Sequence, residues 1–346
     1  MLKSQGFVVD TLIIEQDKKV DFKLLSNLKN KLTEKSFSDI VRIIKTKMVY
    51  ALNAREYDTS TAIRTNKFRE FTEKFITERH WNFSENYTCQ DIVDYYDFFV
   101  VGSDQVWNPR YTKGTGIYFL DFAPKEKRVS YAASFGVSQL PEEYKEIYKQ
   151  GLLGMGYLSL REVAGARLIR ELIGVDVPVH IDPTLLLTKD EWLAISREAF
   201  NKPEGGYILT YFLGEAPKES TKQIKTLAKN NNLEIVNLGR IKEKDFYRTG
   251  PSEFIDYING CTVFCTNSFH GAVFSILFKK PFIVYDRTDS PMFSRLETLL
   301  DKFDLNSRMA DQVKTNEEAI YVDFSHTDAI LELERKKAQD YLRKAL

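Results

Sequence analysis

A histidine stands at the expected start of an apolar helix, in the run Asn267-Ser268-Phe269-His270-Gly271. Asn267 or Ser268 is a natural N-cap, and the N–H groups of the next turn, with the helix dipole, suit a phosphate or a carboxylate. His270 lies one residue off the apolar stripe, so we expect its ring to face a cleft. An imidazole there suits acid–base catalysis, although a half-buried histidine that caps a helix would show the same pattern.

Other polar residues stand where a strand is expected to end, which is where open α/β sheets bind their ligands. They are Ser103, Asp104, Ser134, Arg161, Asp182, Arg240 and Arg287. Arg161 is expected at the start of a helix, where a cation opposes the helix dipole. Its partner is therefore expected to be an anionic ligand, Glu162 or a distant carboxylate.

Asp104 follows a continuous apolar strand, so it can orient a hydroxyl group, act as a base or simply cap a turn. Asp182-Pro183-Thr184 is typical of a rigid turn. Three aromatic residues are expected either in the core or as a platform for a sugar ring: Trp107, Tyr131 and Phe135.

The elements that must position these residues alternate between apolar runs and amphipathic segments, a pattern that favours parallel sheets with crossover helices. Strands are expected at 11–15, 97–101, 128–133, 156–160, 177–181, 207–213, 233–238, 262–266 and 281–286. Helices are expected at 38–52, 67–76, 161–173, 217–230, 252–259, 268–280 and 327–345, and from 141, 188 and 292. The predicted fold is α/β, with two Rossmann-like doubly wound domains at 1–200 and 201–310 and a helical tail at 311–346.

Composition excludes several classes of protein. Of the 346 residues, 49 are Lys or Arg and 49 are Asp or Glu, so we expect neither nucleic acid nor an anionic membrane surface as a partner. Three cysteines without CxxC spacing argue against a disulfide framework or a zinc site and favour the reducing cytoplasm. No apolar run approaches the ~20 residues of a membrane span, and the first ten residues lack the apolar region of a signal peptide.

The sequence also lacks the GxSxG, Walker A, HExxH and GxGxxG motifs. Serine hydrolase, P-loop NTPase, zincin and simple dehydrogenase functions therefore have no support.

Five short motifs occur in series along the chain. They are Gly102-Ser103-Asp104-Gln105-Val106-Trp107-Asn108, Tyr131-Ala132-Ala133-Ser134-Phe135-Gly136, Ser159-Leu160-Arg161-Glu162, Asp182-Pro183-Thr184-Leu185-Leu186 and Ser268-Phe269-His270-Gly271. Together, and in this order, they resemble the polysaccharide pyruvyl transferase family over about residues 1–305. The resemblance implies a fold similar to that of GT-B glycosyltransferases. It also implies transfer of a pyruvyl group, as a ketal, from phosphoenolpyruvate to sugar hydroxyls of a cell-surface glycan or a lipid-linked saccharide. Neither a metal nor a cofactor is implied, since phosphoenolpyruvate is the donor substrate.

The resemblance makes His270 match the family's proposed catalytic histidine, and Arg161 match an arginine that holds phosphoenolpyruvate. That donor carries a phosphate and a carboxylate, so its site needs cations and N–H donors together. We expect His270 and Asp104 to be catalytic. The expected substrate-binding residues are Arg161, Asn267, Ser268, Ser103, Ser134 and Arg287, with Arg240 as a further candidate.

Two departures from the family pattern have consequences. Many members carry Arg where this chain has Ser268, so one expected anion ligand is absent. The family usually opens with a βα unit before a segment like residues 2–7, and we expect that unit to be missing here, with Met1 an internal methionine or the gene truncated. A chain that truly starts there would have its activity in doubt. The alternative functions are a GT-B-like glycosyltransferase that uses a nucleotide sugar and an inactive glycan-binding protein.

Overall fold

The computed structural model describes residues 2–14, 37–81, 90–286 and 294–346. Its strands are β1 (Thr11–Ile14), β2 (Glu78–Trp81), β3 (Phe99–Val101), β4 (Arg128–Ser130), β5 (Tyr207–Tyr211), β6 (Glu234–Asn237), β7 (Val263–Thr266) and β8 (Phe282–Val284). Its helices are α1 (Phe37–Phe75), α2 (Gln90–Tyr95), α3 (Pro109–Thr112), α4 (Glu142–Leu153), α5 (Val163–Ile173), α6 (Lys189–Ala194), α7 (Lys218–Asn231), α8 (Lys244–Tyr247), α9 (Pro251–Gly260), α10 (Phe269–Phe278), α11 (Ser294–Lys302), α12 (Asn316–Ile320) and α13 (Thr327–Ala345).

The chain divides into two compact units. The smaller unit consists of Leu2–Tyr87 and Arg240–Pro251, and the larger consists of Thr88–Gly239 and Ser252–Leu346. The domain boundaries expected at residues 200 and 310 stay predictions.

In the smaller unit, β1 and β2 pair in parallel, with Thr11 opposite Glu78. The two helices expected at 38–52 and 67–76 are parts of the single helix α1. The segment around α8 packs on that helix, because Arg64 donates to the carbonyl of Tyr247 at 2.8 Å and its guanidinium lies 4.9 Å from the Tyr247 ring.

A four-stranded parallel sheet, in the order β6-β5-β7-β8, forms much of the core of the larger unit. Strands β5, β7 and β8 are almost wholly buried because helices cover both faces, as is usual for parallel sheets, whereas the first two residues of the edge strand β6 are exposed. The cluster on one face contains Ile208, Val263, Cys265 and Ile283 of the sheet and Ile224, Leu227 and Ala228 of α7. The chain runs from β5 to β6 on one side and returns to β7 on the other, so the strand order reverses between β5 and β7. Ligands of open α/β sheets bind at such a reversal, beyond the carboxyl ends of the strands.

The same unit contains a second parallel pair, β3 with β4. The strands expected at 156–160 and 177–181 are wrong as regular strands: these segments form only single parallel bridges, such as Leu160 with Val179. Backbone hydrogen bonds there, such as that from the Ser130 amide to the Tyr157 carbonyl at 2.9 Å, are interspersed with side-chain hydrogen bonds. The Ser159 amide donates to the Ser130 hydroxyl at 2.9 Å, and the Ser159 hydroxyl donates to the Ser130 carbonyl at 3.0 Å.

The helix expected to begin at Arg161 instead begins at Val163, with Glu162 as its N-cap residue, so Arg161 lies in the extended segment before it. Gly174 ends that helix in a left-handed conformation, as expected from its position. The capping box of Thr188 and Glu191 is also confirmed. The mixed α/β class with parallel sheets is confirmed, and Trp107, Tyr131 and Phe135 are all core residues.

Candidate active site

The side chain of Asn267 links the ends of β5 and β7, the two strands between which the strand order reverses. Leu213 follows β5 and Asn267 follows β7, and the Asn267 side chain accepts from the Leu213 amide at 2.7 Å and donates to its carbonyl at 3.3 Å. Both residues line a pocket at this edge of the sheet. The amide group of Asn267, expected to bind substrate, is thus engaged in fixing the two strand ends.

Ser268 is the N-cap of α10. Its hydroxyl oxygen accepts from the Gly271 amide at 3.3 Å, and its own amide donates to the Thr266 hydroxyl at 3.0 Å. Gly271 is needed here, because a Cβ at that position would stand 2.9 Å from the Thr266 oxygen. The cap positions the first turn of α10, which carries Phe269 and His270.

His270 presents its ring to the pocket. Its side chain is 42% exposed, whereas the helix residues from Gly271 to Phe278 are all buried. The Nε2 atom lies 3.7 Å from Oδ2 of Asp182. The imidazole is therefore oriented by a carboxylate while one side stays open to a ligand.

Asp182 is the central residue of a polar cluster, although its sequence context is typical of a turn. The other members of the cluster are Ser103, Asp104, Arg161 and His270. The Asp182 side chain is 1% exposed. Oδ2 accepts from Arg161 Nη1 at 2.8 Å and from the Ser103 hydroxyl at 3.1 Å, and Oδ1 caps the following turn by accepting from the Thr184 amide at 2.9 Å. Burial opposes the charged form, but His270 and Arg161 outweigh it and hold the pKa of this carboxyl well below its usual range.

Arg161 is enclosed and paired with two distant carboxylates. Its side chain is 1% exposed, with Nη1 on Asp182 and Nη2 3.0 Å from Oδ1 of Asp104. Its guanidinium lies 4.4 Å from the centre of the Phe269 ring, within the range of a cation–π contact. Its Nε has no hydrogen-bond partner among the described residues.

The neighbouring Glu162 does not pair with Arg161. Its Oε1 accepts from the Ser134 hydroxyl at 3.1 Å, from the Phe135 amide at 2.9 Å and from the Gly136 amide at 3.1 Å. Burial raises the pKa of this carboxyl. The hydroxyl of Ser134 is directed to Glu162, and its expected contact with substrate stays a prediction.

Asp104 is the accessible carboxylate of the cluster, with a side chain that is 66% exposed. Oδ1 contacts Arg161 and also lies 3.4 Å from Nη1 of Arg295 on α11. Partial burial opposes its charge, yet Arg161, His270 and Arg295 hold its pKa below the usual value. Arg295 also stacks 5.6 Å from the centre of the Phe269 ring. Sequence reasoning missed Arg295 because it lies in an ordinary amphipathic helix, far from any strand end in the sequence.

The pocket has a volume of about 80 Å³. It is lined by Asp104, Gln105, Leu213, Asn267, Ser268, Phe269, His270, Tyr285, Asp286, Arg295 and Leu296. Ser103 and Arg161 do not line the pocket themselves. Ser103 bonds to Asp182, and Arg161 bonds to both Asp182 and the lining residue Asp104. Arg287 lies outside the described residues, and Arg240 belongs to the smaller unit, so their roles stay predictions.

Two features are absent from the residues that the structure describes. Among these residues, no group of three or more His, Cys, Asp or Glu side chains is arranged to hold a metal ion. No helix in the same residues is both long and apolar enough to cross a lipid bilayer.

The family model of the polysaccharide pyruvyl transferases matches residues 1–290 of the chain, which include all five motifs. The protein belongs to the polysaccharide pyruvyl transferase family. The family indicates a transferase, in agreement with the expectation from the motifs. No curated protein matches the chain closely enough to count as a relative. In this pyruvyl transferase, the histidine and the arginine singled out by the resemblance both face Oδ2 of Asp182.

Proposed function

We propose that the protein transfers the pyruvyl group of phosphoenolpyruvate to two hydroxyls of a sugar in a glycan or lipid-linked saccharide, forming a ketal and releasing phosphate. The observation that carries the proposal is the convergence of His270 and Arg161 on Asp182 beside the capped start of α10. Helix N-termini favour anions, and this donor carries two anionic groups.

His270 is proposed to deliver a proton to the methylene carbon of the donor. The protonated donor has oxocarbenium character at C2, and one sugar hydroxyl attacks this carbon and returns a proton to the imidazole. The bond between C2 and the phosphate oxygen then breaks, and a second hydroxyl closes the ketal while its proton leaves with the phosphate. The exposed side of the ring and the carboxylate behind it suit this role, because a general acid must be both accessible and oriented.

Asp104 is proposed to hold the acceptor. Its carboxylate is exposed and kept ionised by the arginines, so it is a strong hydrogen-bond acceptor for a sugar hydroxyl. Ser103 and Arg161 are proposed to act behind it, by fixing Asp182 and Asp104. The cytoplasmic location expected from the sequence stays part of this proposal.

The proposal is tested by incubating the protein with phosphoenolpyruvate and candidate glycans while phosphate release and the mass gain of the glycan are measured. Equimolar phosphate and ketal are expected. Turnover of nucleotide sugars instead would favour a glycosyltransferase, and saturable glycan binding without phosphate release would favour a glycan-binding protein.

His270→Ala is expected to lower kcat by about 10²- to 10⁴-fold, the usual contribution of general acid–base catalysis. The matched control is His80→Ala, which removes an exposed histidine of β2 in the smaller unit and should leave kcat unchanged. Near-normal turnover of His270→Ala would remove this residue from the mechanism.

A further inference from the structure

Arg295 is the guanidinium that the pocket presents. Among the described residues that line the pocket, it is the one Arg or Lys side chain. Arg161 is enclosed behind the lining, with Nη1 on Asp182 and Nη2 on Asp104. Arg295 is thus the cation of the described lining that an anion in the pocket can contact, with a side chain that is 9% exposed.

One carboxylate oxygen of Asp104 contacts the guanidinium groups of both Arg161 and Arg295. Oδ1 lies 3.0 Å from Arg161 and 3.4 Å from Arg295. Charge-assisted hydrogen bonds are usually about 2.7–2.9 Å long, so the contact with Arg295 is the weaker of the two. A phosphate offers a guanidinium two oxygens at once and can replace this long contact, while Asp104 keeps its bond to Arg161.

The Phe269 ring holds Arg295 in place for this role. The Arg295 guanidinium lies 5.6 Å from the ring centre, and Arg161 stacks on the same ring at 4.4 Å. Phe269 is also the first residue of α10, between the Ser268 cap and His270. The ring thus places a cation, the start of a helix and an imidazole around one pocket.

We propose that Arg295 binds an anionic group of the donor and that this anion replaces Asp104 at the Arg295 guanidinium. The inference rests on the proposed function for the identity of the donor, but the anion site itself is defined by this chain's own residues. Arg295 of α11 is then a donor-binding residue that does not lie at the end of a strand.

The test is calorimetric titration of phosphoenolpyruvate, and separately of inorganic phosphate, into the full-length protein and its variants. Arg295→Gln is expected to weaken binding of both by about 10- to 100-fold, the range for losing a hydrogen bond to a charged group. Asp104→Asn is expected to tighten binding by about 2- to 5-fold, because it removes an exposed competing carboxylate. When Asp104→Asn is added to Arg295→Gln, it should give no tightening, because the guanidinium for which Asp104 and the anion compete is gone.

Two further variants control for folding and for net charge. Arg295→Lys keeps the charge but not the planar fork, so we expect intermediate binding and a melting temperature close to that of the unchanged protein. Arg170→Gln removes an exposed arginine whose partner is Asp176, and it should leave binding unchanged.

Binding by Arg295→Gln and Arg295→Lys that is as tight as in the unchanged protein would overturn the inference. So would equal tightening by Asp104→Asn with and without Arg295. If the unchanged protein binds inorganic phosphate through Arg295 but does not bind phosphoenolpyruvate, the anion site stands and the proposed donor is wrong. If it binds neither anion, both the site and the donor are wrong.

Discussion

Asp182→Asn is the substitution that tests the cluster most directly, because it removes the charge and keeps the shape. The ion pair with Arg161 is 2.8 Å long and both side chains are 1% exposed. Removing one partner of a buried pair costs about 3–5 kcal/mol, because the other charge is left buried. Asp104 still holds Arg161 at 3.0 Å, and Asn can still cap Thr184, so we expect about 3 kcal/mol.

The loss is measured as the free energy of unfolding in urea, followed by tryptophan fluorescence. The matched control is Asp176→Asn, which breaks an ion pair of 3.0 Å with Arg170 on the surface. Exposed pairs contribute about 0–1 kcal/mol, so the control should change little. Equal losses for Asp182→Asn and Asp176→Asn would refute the view that Asp182 compensates the buried charge of Arg161.

The pH dependence gives a second readout of the same substitution. The pKa of Asp182 is lowered in the folded protein, so at acidic pH the unfolded chain takes up a proton that the folded carboxylate does not. Its contribution to stability is present above the ordinary pKa of 3.8 and is lost as pH falls further, toward the folded pKa. Asp182→Asn should therefore flatten the decrease in stability below about pH 5. An unchanged acid limb would contradict this assignment.

Two other predictions concern the supports of the site. Gly102 has φ +142°, and a Cβ there would stand 2.0 Å from the Tyr131 carbonyl oxygen, so Gly102→Ala should lower both the melting temperature and kcat. Gly205→Ala, with open space around it, should change neither, and identical behaviour of the two variants would contradict the packing argument. His180 is buried against the rings of Tyr131 and Tyr341, and burial lowers its pKa from 6.5 to about 4. The unfolded chain binds a proton below pH 6.5 that folded His180 binds only near pH 4. The free energy of unfolding should therefore decrease as pH is lowered from 6.5 to about 4, and His180→Phe should remove that decrease.

The sequence predicts the elements of the fold where periodicity and capping agree. The helix from Ser268 is found with its cap and with Lys279 in a left-handed conformation at its end. Prediction is less accurate at 156–160, where the hydroxyls of Ser130 and Ser159 form hydrogen bonds among those of the backbone and only isolated bridges form. Apolar alternation reports burial, and both a strand and an extended buried segment satisfy it.

The site is predictable only in part, for a related reason. The rule of strand ends selects Ser103, Asp104, Arg161 and Asp182, which the structure brings into direct contact. It does not reveal that Asp182 has a second role beyond its turn, because a carboxylate that caps a turn has the same sequence pattern in either case. It cannot select Arg295, which contacts Asp104, 191 residues away along the chain, and lies near the Phe269 ring.

The buried pair of Arg161 and Asp182 serves to orient the His270 imidazole rather than to stabilise the fold. Replacing a buried ion pair by well-packed apolar residues is often neutral or stabilising, so stability alone does not explain the pair of Arg161 and Asp182. Oδ2 of Asp182, however, is the common point of Ser103 after β3, Arg161 before α5 and His270 on α10. An apolar core could hold these three segments together but could not fix the direction of an imidazole. Because one oxygen serves all three, a shift in any one segment changes the orientation of the ring that is proposed to move the proton.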